Sequence, residues 1–313
     1  MQEETYRSQI KNGSVQCNGS CVKPRCLLVN STYCGFLTFI NSIFFLHLID
    51  WITSPNFFWM KKLLKIICLV TLILCLPAIL PAQNYYVSNQ RASYKMSDVF
   101  SRMEDSVKKQ FETQQLTWPP EALYIRSFKY DRQLEVWVKG NRKESYKLFK
   151  TYKVCMQSGT MGPKRMEGDY QVPEGFYQIN EFNPNSNYHL SLGLNYPNAS
   201  DRILSDSIRP GNAIYIHGNC VSTGCIPISD IPMEELYIIA SSVKANGEDF
   251  IPVHVFPVRY NVKKSMDYLN ASIKNNQTLQ QFNNNIREVF DFFETKKQLP
   301  VIMVNKKGEY VLN

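Results

Sequence analysis

The chain has little histidine: four in 313 residues, and after residue 83 only His189, His217 and His254. Beyond its first quarter it is equally short of cysteine. Six of nine cysteines (Cys17, Cys21, Cys26, Cys34, Cys68 and Cys75) come before residue 83, and only Cys155, Cys220 and Cys225 follow. Three cysteines do not make the disulfide framework of a small secreted scaffold. Internal repeats and low-complexity tracts are missing, which excludes solenoids and tails of biased composition. A strong charge of one sign is missing too. The formal net charge is +8, but residues 1–82 hold seven Lys/Arg against three acids, which leaves 28 and 24 in the rest. So mild and scattered an excess implies no nucleic-acid partner.

What is present first is a targeting pattern. Met60-Lys61-Lys62-Leu63-Leu64-Lys65 opens it, the apolar run Ile66 to Leu76 follows, and Pro77 leads to small residues ending at Ala82. A basic start, a short apolar core and an alanine before the mature chain describe a secretory signal peptide, cut after Ala82 or Ala78. The alternative is an uncleaved membrane anchor over 63–82. Leu74 before Cys75 does not fit a lipoprotein site. Residues 1–59 are awkward in front of a signal, and their apolar stretch 36–58 is broken by Asn41, His47 and Asp50. The simplest expectation is that translation begins at Met60 and that 1–59 is a non-native or membrane-associated extension. The chain then divides into 60–82 (signal or anchor), 83–121 (helical segment), 122–260 (catalytic domain) and 261–313 (helix and strand extension).

Beyond the signal, 94–115 reads as an amphipathic helix. Val99, Phe100, Met103, Val107 and Phe111 recur at helical spacing, with Ser97 or Asp98 as cap. Strand signals follow at 123–128, 134–138 and 146–156, then at 176–179, 188–194, 213–216 and 251–258. Glycine and proline make 158–175 a long loop, with Glu167 and Asp169 expected to brace it. Residues 232–241 look helical, with Ser229 and Asp230 near the start. Phe282, Ile286, Val289, Phe290 and Phe293 form a second helical stripe, and 301–304 a last strand. The fold class is therefore mostly β with flanking helices, α+β overall.

The chemistry gathers in Ile214-Tyr-Ile-His217-Gly218-Asn219-Cys220-Val-Ser222-Thr223-Gly224-Cys225-Ile226-Pro227. A cysteine nucleophile needs a base, because the thiolate is what attacks. It needs a turn that presents sulfur, and Gly224 allows unusual backbone angles. It also needs N–H donors for an oxyanion, which a tight turn supplies. This segment offers all three. Other readings of the same residues stay open. One makes Cys225 and His217 both structural; another has His217, Cys220 and Cys225 begin a zinc site with Cys155 or His254, although His-x2-Cys-x4-Cys is not a usual zinc spacing. A papain-like protease does not suit histidine so shortly before cysteine.

His217-Gly218 followed by Ser222-Thr223-Gly224-Cys225 resembles the signature of the YkuD-type L,D-transpeptidases, most of all their YafK-like branch. The likeness extends to Ser158-Gly159, Gly162-Pro163-Lys164-Arg165, Glu167-Gly168-Asp169 and Pro173-Glu174-Gly175-Phe176-Tyr177. It continues through Phe182, Asn183 and Pro184, then Ser186-x-Tyr188-His-Leu-Ser191, Asn195-Tyr196-Pro197-Asn198 and Asp201, and covers roughly 120–313. The resemblance implies a YkuD-like β-sandwich core. It implies Cys225 as nucleophile, His217 as proton acceptor and donor, and backbone amides around Thr223, Gly224 and Cys225 as oxyanion hole. Ser222 and Gly218 would support the site, and Lys164 and Arg165 could bind a stem-peptide carboxylate. The partner implied is peptidoglycan, cut at the carbonyl of an L-configured diamino acid centre, with a wall-linked protein as a further partner. No metal or other cofactor is called for, and the place is the periplasm or envelope. A membrane is involved only if 63–82 stays uncleaved.

Two departures matter. Thr223 stands where many relatives carry a second histidine, and the short His-to-Cys spacing removes an insert found in many cross-linking relatives. These departures count against cross-linking, and the YafK-like resemblance tilts the expectation toward hydrolysis or detachment. A non-catalytic wall-binding module of the same fold is the alternative. His189 and His254 are expected to be packed or hydrogen-bonded, Cys155 to be inert core, and Cys220 to be free to pair with Cys225 in an oxidising compartment.

Overall fold

A computed structural model describes residues 62–63, 65–67, 71 and 88–313. The chain divides into two units, 1–76 and 77–313. In the first, the described residues are helical; the signal pattern at 60–82 and the extension 1–59 lie almost wholly outside the described residues. No described helix is long and apolar enough to cross a membrane. Everything below concerns the second unit.

Its centre is an eight-stranded sheet. The strands are β1 (Ala122–Phe128), β2 (Gln133–Lys139), β3 (Lys147–Lys153), β4 (Gly175–Asn183), β5 (Ser191–Leu194), β6 (Tyr215–His217), β7 (Ile226–Pro227) and β8 (Pro252–Phe256). They lie in the order β3-β2-β1-β8-β4-β5-β6-β7. β1 pairs with β8, and β6 with β7, in parallel; the other pairs are antiparallel. Register shifts between Ile179 and Glu181, just after β4 passes from its pairing with β8 to its pairing with β5. With its helices, the architecture is α+β, as the sequence implies.

Strand periodicity explains the layers. On β1 and β8, Leu123, Ile125, Val253 and Val255 enter one apolar cluster, while Tyr124, Phe128 and Phe256 enter two others. The first cluster takes Met96, Val99, Phe100, Val107 and Phe111 from helix α1 (Tyr94–Thr113) and Met233, Leu236 and Ile239 from α3 (Asp230–Ala245). The other clusters take Leu269 and Ile273 from α4 (Lys263–Ile273) and Ile286, Phe290 and Phe293 from α5 (Gln277–Lys296). A short helix, α2 (Ala199–Leu204), and a hairpin of β9 (Ile302–Val304) with β10 (Tyr310–Leu312) complete the unit.

Several sequence expectations need correction. Helix α1 is capped by Ser93, whose side chain accepts from the Met96 amide at 3.3 Å, and not by Ser97 or Asp98. Ser97 already donates its own amide to Ser93, so the cap lies one turn earlier. Tyr188 and His189 are not in a strand: β5 starts at Ser191, and His189 has φ 70°. The helices α2 and α4 and the strand β10 carried no signal strong enough to be expected. α2 is fixed by a capping box between Asn198 and Asp201 rather than by an apolar stripe.

Candidate active site

β6 and β7 run side by side, with Ile216 opposite Ile226 and His217 opposite Pro227. Both isoleucines enter the main core cluster. His217 ends β6 and Cys225 directly precedes β7, in the turn that leads into it, so the parallel pairing sets the two segments side by side. The segment between them is the corner that joins the two strands.

Each side of that corner is fixed. Gly218 donates its amide to Leu190 at 3.1 Å, and a Cβ there would lie 2.6 Å from Asp230 Oδ1 and 2.9 Å from His189 Cβ, so only glycine fits. Asp230, in the first turn of α3, accepts the Asn219 amide at 2.6 Å. Ser222 Oγ donates to the Cys225 carbonyl at 2.8 Å, accepts the Gly224 amide at 3.2 Å and meets Ser158 Oγ at 3.0 Å. Gly224 has φ 135°, and a Cβ there would sit 3.1 Å from the Gln171 carbonyl. Thr223 is exposed beside it. Of the backbone donors expected around the oxyanion, the Gly224 amide is engaged by Ser222 in this state.

His217 is 1% exposed. Its Nδ1 bonds the Gly218 carbonyl, which fixes the proton there and leaves Nε2 as the acceptor. Burial holds the imidazole below its ordinary pKa, with the Gly218 bond opposing, so the ring is neutral near pH 7. The Cys225 thiol is half-buried and donates to the Ala213 carbonyl at 3.7 Å. Burial pushes this thiol up, while the Tyr215 backbone and the Lys164 charge pull it down. The resting pair is thus a thiol and a neutral imidazole.

The loop 158–174 packs against the turn at Ser222 and Gly224, through Ser158 and Gln171. Lys164 is almost fully buried, ion-paired with Asp169 and bonded to the Met166 carbonyl at 2.8 Å. Arg165 is partly exposed and meets Asp201 at 3.4 Å. Asp169 also accepts the amides of Arg165, Met166 and Gln171, and so braces the loop, while Glu167 is an exposed partner of Arg209. Burial raises the Asp169 carboxyl, but Lys164 and these amides outweigh it, and its pKa lies below the usual value. Beneath the loop, Lys129 reaches the carbonyls of Thr160, Gly162 and Val172 at 2.7–3.0 Å and pairs with Glu174 at 3.0 Å.

Sequence reasoning missed Lys129. A lysine just after a strand reads as a solvated charge, and nothing local says that its chain turns inward. The Tyr215 backbone, Tyr188 and Asp230 were missed as well; for Asp230 the signal was its place in the first turn of a helix, beside the motif.

Cys155 and Cys220 form a disulfide, with Cα atoms 5.7 Å apart. Cys155 is therefore not an inert core thiol, and Cys220 is not the partner of Cys225, which is free. The Cys155 amide bonds the Pro227 carbonyl at 3.0 Å, which sets Cys155 beside the motif although it is distant in sequence. The disulfide also takes two of the groups that the zinc reading needs, and among the described residues no cluster of three His, Cys, Asp or Glu is placed to hold a metal. His189 bonds Glu234 at 2.8 Å and His254 bonds the Tyr124 hydroxyl at 2.9 Å, so both are hydrogen-bonded as expected.

The L,D-transpeptidase catalytic domain, YkuD, matches residues 124–255. YafK from Escherichia coli strain K12 is 32% identical over 209 residues, 66% of this chain and 79% of that protein. The chain belongs to that family. YafK from E. coli O157:H7 matches to the same extent. Among solved structures, the helical cell shape determining protein Pgp2 of Campylobacter jejuni (K307A mutant) is similar at TM-score 0.36 and 21% identity, over 54% of this chain and 59% of that one. Bd1075 of Bdellovibrio bacteriovorus is similar at TM-score 0.33 and 22% identity, over 58% and 62%. The family implies peptidoglycan stem peptides as substrates.

Proposed function

We propose that this protein is an exported cysteine acyl-transfer enzyme of the cell wall, and that it resolves its acyl-enzyme chiefly with water. The observation that carries the reading is the parallel pairing of β6, which ends at His217, with β7, which Cys225 directly precedes. In the first step Sγ attacks a stem-peptide amide carbonyl while His217 Nε2 takes the thiol proton. The C–N bond then breaks, the amine leaves with that proton, and a thioester remains. In the second step His217 takes a proton from water, hydroxide adds to the thioester, and the carboxylic acid departs as sulfur regains the proton. Backbone amides around Thr223, Gly224 and Cys225 would hold the oxyanion, which requires the Gly224 amide to turn from Ser222 as charge develops.

Two features favour water. The seven residues between His217 and Cys225 leave no room for an acceptor-side insert, and Thr223 supplies no second imidazole for an incoming amine. Arg165 borders an open cleft of about 370 Å³ between the loop and α5, suited to a substrate carboxylate. Lys164, buried and paired, fits an electrostatic part near Cys225 better than direct carboxylate binding.

The experiment is product analysis with purified tetrapeptide, cross-linked and protein-linked wall fragments, in H₂¹⁸O, beside Cys225→Ala. The expected product carries one ¹⁸O in its new carboxylate and vanishes in Cys225→Ala. A cross-linked product free of label would overturn the preference for water. No Cys225-dependent product from any fragment would overturn the enzymatic reading.

A further inference from the structure

The turn ahead of β5 is held more firmly than a connecting turn requires. His189 sits at φ 70°, a region that non-glycine residues enter at a cost. Its ring bonds Glu234 at 2.8 Å, and Glu234, 2% exposed, is gripped by Arg102 at 3.0 and 3.2 Å. Lys95 donates to the His189 carbonyl. Ser186 Oγ accepts the Tyr188 amide at 3.1 Å, and the Leu190 carbonyl accepts the Gly218 amide. Two helices thus fix one turn. Arg102 and Lys95 belong to α1, which lies before the residues that match the family domain.

What this turn presents is Tyr188. Its ring lies 4.8 Å from that of His217, inclined by 34°, while the side chain remains 45% exposed. Among the described residues its hydroxyl has no hydrogen-bond partner. A half-exposed aromatic ring, free at its polar end and laid on the face of the base, is not spent on the core.

We propose that Tyr188 is a positioning residue: its ring is the platform that keeps the His217 imidazole in one orientation and one tautomer, and the α1–α3 clamp on His189 exists to hold that ring in place. This rests on His217 acting as the base. The platform covers one ring face and the Gly218 carbonyl fixes Nδ1, so Nε2 is aimed along a single direction. The hydroxyl takes no part, and the flat ring does the work.

The test is read without substrate as well as with it. ¹⁵N NMR of the histidine-labelled full chain, with His217 assigned through His217→Asn, gives the tautomer and titration of His217 in wild type, Tyr188→Phe and Tyr188→Ala. The charged and titratable groups at this corner (Asp230, Glu234 with His189, Arg102 and Lys95, then Cys225, Tyr215 and Lys164) are the same in all three. Tyr188→Phe is expected to match wild type. Tyr188→Ala is expected to mix the tautomers and to move the His217 titration upward toward an ordinary imidazole, because one ring face meets water. With wall fragments, kcat should fall about tenfold in Tyr188→Ala with KM within about threefold, and stay within about twofold in Tyr188→Phe. An unchanged His217 tautomer and titration in Tyr188→Ala would overturn the platform, whatever the activity. A wild-type enzyme with no product would overturn the proposed function and leave the NMR arm to decide on Tyr188.

Discussion

Ser222 ties its hydroxyl to the Cys225 carbonyl, the Gly224 amide and Ser158. One side chain therefore sets the turn that offers the thiol. Beside it, His217 and Cys225 are shifted in opposite senses by the same cause: burial disfavours imidazolium and thiolate alike. This gives a sign for the pH dependence. The base must be neutral, and its pKa lies below the ordinary 6.5, so it is ready at pH 7 and is lost only as pH falls further. The acid limb of kcat/KM is expected below pH 6.5, and it should vanish with residual activity in His217→Asn. A limb above that value would mean an imidazolium–thiolate pair in the resting enzyme. The two residues of the proposed reaction stand out in the sequence because they are close together and glycine-flanked. Tyr188 was not, because its contact with His217 depends on a left-handed residue at His189, and the alternation of 188–194 reads as plain strand.

Among the elements, the long loop 158–174 is the one whose order most needs explanation. It has no strand or helix of its own, yet it lies against the turn that carries Cys225. Lys129 supplies what regular structure would have, by satisfying three loop carbonyls and Glu174 from below. Burial holds this amine below the usual lysine range, with Glu174 opposing. Lys129→Met would leave Glu174 buried without its cation, a loss of about 3–5 kcal/mol for a broken buried pair. Equilibrium denaturation should show that loss, and Lys129→Met with Glu174→Gln together should recover part of it. Equal losses in the single and double variants would mean that the pair does not hold the loop. The stripes of α1 and α5 were legible because core packing and helical period coincide. The α2 cap and the β9–β10 hairpin were not, since polar caps and three-residue strands leave no periodic trace.

In the molecule as a whole, Cys155 and Cys220 join segments 65 residues apart. Three late cysteines looked too few to matter, yet one pair fastens the end of β3 to the catalytic motif. Chain-entropy arguments assign closure of a loop of this size about 4 kcal/mol, or roughly 10 °C in melting temperature for a unit of more than 200 residues. The bond also removes Cys220 from reach of Cys225, and Cys220 is exposed, so reductant can test it. Reduction of the intact protein, or Cys155→Ser with Cys220→Ser, is expected to lower the melting temperature by about that amount. The ¹⁸O-labelled product should still form at low temperature, because the β6–β7 pairing, which holds His217 and the residues just after Cys225, does not include the bond. Cys155→Ser alone is expected to behave worse than the double variant, since it frees Cys220 five residues from Cys225, where the two can pair under oxidising conditions. Its activity should return with reductant. If Cys155→Ser and the double variant proved equally active without reductant, the disulfide would be a stabiliser alone and would not guard the nucleophile.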